Sequence, residues 1–109
     1  MMFPFFHLKR YNSLLKIYTA SRLSEGNKIF PSKLVIDETG VTLKSPSWLG
    51  GNETTIPFSR ISSVNIDCPF IGYSTIIIET TGVGQISVYG FLKSEVTEMK
   101  FDILKQIKS

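Results

Sequence analysis

The side chains that most often carry chemistry are scarce in this chain and stand far apart. His7 is the only histidine and Cys68 the only cysteine. A thiolate–imidazole pair would need the N-terminus folded against the segment around residue 68. A metal would have to rest on carboxylates alone, and no Asp or Glu residues cluster at ligand spacing. Gly82-Val83-Gly84 lies between two strand-like runs. It has no Lys-Ser/Thr and no helix start behind it, so it is not a phosphate loop. These features predict a non-catalytic protein with no metal, no cofactor and no small-molecule substrate. Cys68 reads as a small core or loop residue rather than a nucleophile.

Contact chemistry is better represented. The formal net charge of +3 is unevenly spread. Residues 1–33 carry six Lys/Arg (Lys9, Arg10, Lys16, Arg22, Lys28, Lys33) against the single acid Glu25. The remaining residues carry six against eight acids. Such asymmetry suggests an arm that meets an acidic surface. Phe3, Phe5 and Phe6 precede Lys9, Arg10, Lys16 and Arg22, a combination suited to wedging into an anionic bilayer surface. The alternative is that the arm's apolar stripe packs on the rest of the domain or on a sister subunit. A second candidate surface is the loop aromatics Trp48, Phe70 and Tyr73, residue types that anchor protein partners. Burial of these three beneath Phe91 and a C-terminal helix is the competing expectation.

These residues need elements to position them. The length of 109 residues suits one domain, and 42% hydrophobic with 19% charged residues is an ordinary globular composition. Leu8, Tyr11, Leu15 and Tyr18 recur at helical spacing, which predicts an amphipathic helix over residues 5–23 ending near Gly26. This defines an arm over 1–26 and a domain over 27–109. Alternation and turn residues then predict strands at Leu34–Asp37, Val41–Lys44, Thr54–Phe58, Ile61–Asp67, Thr75–Thr81 and Gln85–Tyr89. Pro57 must sit at an edge or strand end. The run Ile76-Ile77-Ile78 suggests burial on both faces. Ser94 reads as the N-cap of a last helix over about 95–108, with Val96, Met99, Ile103 and Ile107 on one stripe and Leu92 just ahead.

The phrase Ile56-Pro57-Phe58-Ser59-Arg60-Ile61-Ser62-Ser63-Val64 resembles the strand pair of bacterial pleckstrin-homology-like (PH-like) and GRAM domains. Gly72, the Ile76–Thr80 strand, the Gly82–Gly84 turn and the Gly90-Phe91 step into a helix extend the resemblance over about 33–108. It implies a mainly β fold: a bent antiparallel sheet or barrel of six to seven strands, capped by a C-terminal α-helix and preceded by the N-terminal helix. A seventh strand would come from near Asn27–Phe30 or from the arm. Inositide-binding members carry several Lys/Arg around the first hairpin. Here that turn is Asp37-Glu38-Thr39-Gly40, with only Lys33 and Lys44 on its flanks, and its two acids repel phosphate.

The functional expectation is a non-catalytic PH-like module acting through protein contacts or self-association, by an exposed strand edge or the N-terminal helix, with a homo-oligomer as one form. The alternative is peripheral attachment to an anionic membrane through residues 1–23. Nucleic acid is disfavoured, because the outward strand positions are mostly Thr, Ser, Asn, Asp and Gln rather than a basic aromatic platform. No run reaches the roughly 18 apolar residues of a membrane span. In MMFPFFHLKR the charges follow the apolar stretch, the reverse of a signal peptide. The expected location is the cytoplasm, including the membrane periphery.

Overall fold

The computed structural model describes residues 15–47, 50–82 and 84–108. Among these residues, seven strands form two antiparallel sheets. The first holds β1 (Leu15–Thr19), β2 (Lys33–Asp37), β3 (Gly40–Ser45) and β4 (Asn52–Pro57), in that order. A 3-10 turn, Phe58–Arg60, leads to the second sheet of β5 (Ile61–Asp67), β6 (Ser74–Thr80) and β7 (Gln85–Phe91). The C-terminal helix α1 (Lys93–Lys108) packs on β5, β6 and the 3-10 turn. The two sheets are separate ladders, so the fold is not a closed barrel. Each strand pairs with its sequence neighbour, the outcome expected of short hairpin connections.

Residues 15–23 correct the expected N-terminal helix. Leu15–Thr19 is the first strand, and Arg22–Gly26 is a turn segment. The rest of the predicted helix, residues 5–14, lies outside the described residues. The reason is visible in the residues themselves. Lys16, Tyr18 and Ala20 alternate with Leu15, Ile17 and Thr19. That period of two is as good as the period of 3.6, and β-branched Ile17 and Thr19 favour the strand. Pairing with β2 then decides: Tyr18 stands opposite Leu34 and Lys16 opposite Ile36. The seventh strand therefore comes from the stretch assigned to the arm.

The register carries one apolar face through the first sheet. Ile36, Val41 and Ile56 form one cross-strand row, and Tyr18, Leu34 and Leu43 the next. A slip by one residue would turn both rows to solvent. The second sheet supplies Ile61, Val64, Ile76, Ile78, Val88 and Phe91, and α1 supplies Val96, Met99 and Ile103. Each of these three helix side chains is fully buried and contributes about 1.5–3 kcal/mol. Ile77 is only half-buried, so β6 is covered fully on one face alone. Pro57 ends the edge strand β4, where its missing donor costs nothing.

Helix α1 starts two residues earlier than the Ser94 cap predicts. The Leu92 N–H donates to Glu95 Oε1 at 2.8 Å, so the carboxylate three residues on closes the first turn. Leu92 and Ile107 stay partly in solvent, and Phe91 takes the core position.

One polar plug joins the two sheets. Ser24 and Asn27 are buried in the 20–32 connection. Asn27 Nδ2 donates to Ser24 Oγ at 3.0 Å and to the Tyr89 carbonyl at 3.1 Å, while Ser32 N–H donates to Asn27 Oδ1 at 2.9 Å. The Ser21 N–H donates to the Gly90 carbonyl at 2.8 Å. Gly90 lies at φ +118°, and a Cβ there would stand 2.5 Å from Ser24 Oγ and 2.7 Å from Asn27 Nδ2. Both backbone strain and the collision require glycine. Gly90→Ala is expected to lower stability by about 2 kcal/mol or more in denaturant unfolding. Hydrogen exchange at Ser21 should accelerate in the same variant.

Candidate functional site

The two ends of the sheets differ. One end holds tight turns. At the β2–β3 turn Asp37 Oδ1 accepts hydrogen bonds from the Thr39 hydroxyl at 2.7 Å, the Thr39 N–H at 2.9 Å and the Gly40 N–H at 3.2 Å. The Thr39 hydroxyl first, then the two backbone amides, hold the Asp37 carboxyl below its ordinary range. The first hairpin thus presents an ionised turn-former, not a phosphate cradle. The 3-10 turn and the β6–β7 turn meet through the Thr81 N–H and the Arg60 carbonyl, 2.9 Å apart.

The other end holds the longer connections. Glu25, Gly26, Lys28, Ile29 and Phe30 of the 20–32 loop line a hollow of about 370 Å³ together with Pro46 of the 46–51 loop. Ser21 Oγ donates to the Tyr73 hydroxyl at 3.2 Å, which brings in the 68–73 loop. Tyr73 meets Tyr89 edge-on, with ring centroids 6.3 Å apart and planes at 85°. Three loops therefore converge around the plugged corner.

This end exposes large apolar side chains. Leu23 is 82% exposed, Ile29 60%, Phe70 102% and Ile71 82%. Exposure of one such residue is ordinary, but four on two loops joined by the Ser21–Tyr73 hydrogen bond make this end the candidate contact surface. Among the predicted loop aromatics, Phe70 is on this surface and is not covered by Phe91 or α1. Tyr73 is half-buried and braces the 20–32 loop from behind. Trp48 lies outside the described residues. Leu23, Ile29 and Ile71 escaped the sequence reading. Their signal was apolar side chains in segments rich in Ser, Gly, Asn and Pro, where no periodicity accounts for them.

The arm's candidates divide as well. Lys16 is not a free surface cation. Its Nζ lies 2.8 Å from Asp102 Oδ2 and 2.7 Å from Glu98 Oε2, so it ties β1 to α1. Asp102 and then Glu98 raise the ammonium well above the ordinary lysine range, and Lys16 in turn lowers Glu98. Beside this cluster, burial and then the Glu98 carboxylate push the Tyr18 hydroxyl up to about 12. Arg22 is exposed, and its Nη1 donates to the Ile29 carbonyl at 2.9 Å, stiffening the loop beneath Leu23. Phe3, Phe5, Phe6, Lys9, Arg10 and His7 lie outside the described residues.

Cys68 is half-buried and packs against the core. Among the described residues, no group of three or more His, Cys, Asp or Glu is placed to hold a metal ion. Among the same residues, no helix is long and apolar enough to cross a membrane. Neither a protein-family model nor a curated protein matches the sequence.

Two outcomes test this geometry. The raised Tyr18 hydroxyl means that the fold prefers its protonated form. Stability from this group is intact below pH 10 and drains away as pH rises towards about 12. A spectrophotometric titration should show one late-ionising tyrosine that is missing in Tyr18→Phe, and alkaline melting should be shallower in that variant. The apolar loop tip, by contrast, adds nothing to folding. Phe70→Ser and Ile71→Ser should each leave stability within about 0.5 kcal/mol of the parent in denaturant unfolding.

Proposed function

We propose that this chain is a non-catalytic PH-like binding module that holds a protein partner, a second copy included, at its loop end. The observation that carries this reading is that Leu23, Ile29, Phe70 and Ile71 stand in solvent on two loops, the first pinned by the Asn27 hydrogen bonds and the second tied to it through Ser21 and Tyr73. Rigid apolar side chains at a protruding end lose little entropy when a partner covers them. The four-plus-three strand order followed by a C-terminal helix supports the PH-like assignment alongside the Ile56–Val64 phrase.

Peripheral attachment to an anionic membrane is the second reading. Arg22 and Lys28 stand in the same loop as Leu23 and Ile29, which favours it. The basic helix it first rested on is absent at residues 15–23, and Lys16 is neutralised by two carboxylates. Glu25 and Asp67 also interrupt the positive field at this end. The protein reading therefore ranks first.

A photoreactive phenylalanine analogue at position 70 of the full chain tests it. Irradiation in cells should give a discrete protein adduct, and the same analogue at exposed Glu53 should not. An adduct with lipid alone would move the site to the membrane reading. No adduct from position 70 would remove the loop end as a contact surface.

A further inference from the structure

A second surface lies on α1, away from the loop end. The helix has seven charged side chains, and they are sorted by side. Its acids all have partners: Glu95 accepts from the Leu92 N–H, while Glu98 and Asp102 face Lys16 of β1. Its lysines, Lys93, Lys100, Lys105 and Lys108, form no ion pair among the described residues. Phe101, Leu104, Lys105 and Lys108 follow one another at i, i+3, i+4 and i+7, so they share a face. That face is not the core face of Val96, Met99 and Ile103.

Among the described residues, these four side chains line a groove of about 360 Å³. Leu104 packs partly against the core. Phe101 is 65% exposed and forms a wall. Lys105 and Lys108 supply the rim. An exposed phenylalanine beside two unpaired lysines is a poor solvent face, because the ring gains nothing in water. It suits a ligand that is apolar at one point and negative around it.

We propose that the Phe101–Leu104 groove docks an acidic peptide segment of a protein partner, anchored by one large apolar side chain. The anchor lies between Phe101 and Leu104, and the segment's carboxylates meet Lys105 and Lys108. Charge selects this occupant over the others. A second copy placed groove to groove would bring four lysines together. Residues 1–14 carry Lys9 and Arg10 and no acid. A flat bilayer does not enter a concave groove.

A displayed library of random short peptides, selected on the full chain, is the test. The enriched peptides should be rich in Asp and Glu around one Leu, Ile, Phe or Trp. A synthetic copy of the best binder should lose about tenfold in affinity to Phe101→Ala and to the Lys105→Glu/Lys108→Glu pair, and should weaken with salt. Phe70→Ser should bind it as the parent does, which separates this groove from the loop end. All these positions are exposed, and unchanged melting would show that the variants are folded. The proposal is overturned if the selection yields no binder, if the binders show no acidic bias, or if the lysine variant binds them equally. It is also overturned if that variant instead abolishes sedimentation with anionic vesicles or changes self-association in light scattering.

Discussion

The contact between Gly90 and the Ser24–Asn27 plug is what the rest of the architecture rests on. Two sheets that share no ladder have only their core and their connections to hold them in register. Here the connection after β1 folds back on the last turn of β7, because the strand offers a bare backbone there. Asn27 spends both ends of its amide in the joint: its nitrogen reaches Ser24 Oγ and the Tyr89 carbonyl, and its oxygen accepts from Ser32. Buried and satisfied, such groups specify one arrangement. Left unpaired, each would cost about 1–3 kcal/mol. The same joint sets the pose of Arg22, Leu23 and Ile29, so fold and candidate site share one constraint.

A division of labour between charges follows from how β1 meets α1. Lys16 takes up the Glu98 and Asp102 carboxylates. With Glu95 engaged at the helix start, α1 shows its lysines to solvent without matching acids. A cation counted as part of a basic arm is thus a structural strut. The turn end is closed by Asp37, Arg60 and Thr81, whereas the loop end carries Leu23, Ile29, Phe70 and Ile71.

Much of the fold was legible because the residues obey short-range rules. Strands β2 to β7 follow alternation bounded by Gly, Pro, Asn and Asp, and the Val96–Met99–Ile103 stripe marks the helix. The site was half legible. Phe70 drew attention as a loop aromatic, as did Tyr73, whose hydroxyl accepts from Ser21 across the two loops. Leu23, Ile29 and Ile71 carry no periodic signal. Where two periods fit the same residues, as at Leu15–Thr19, local pattern does not choose between them, and the β2 edge did.

The sequence by itself therefore determined the local geometry: where strands β2 to β7 run, where the chain must turn and which helix face is apolar. Only the tertiary structure decided which edge β1 joins, why residue 90 is glycine, which lysines are paired and which loops meet. The physical reason is range. Propensity, alternation and capping act within a few residues. Pairing of Lys16 with Asp102, or of Ser21 with Tyr73, joins residues that approach one another only after the chain has folded.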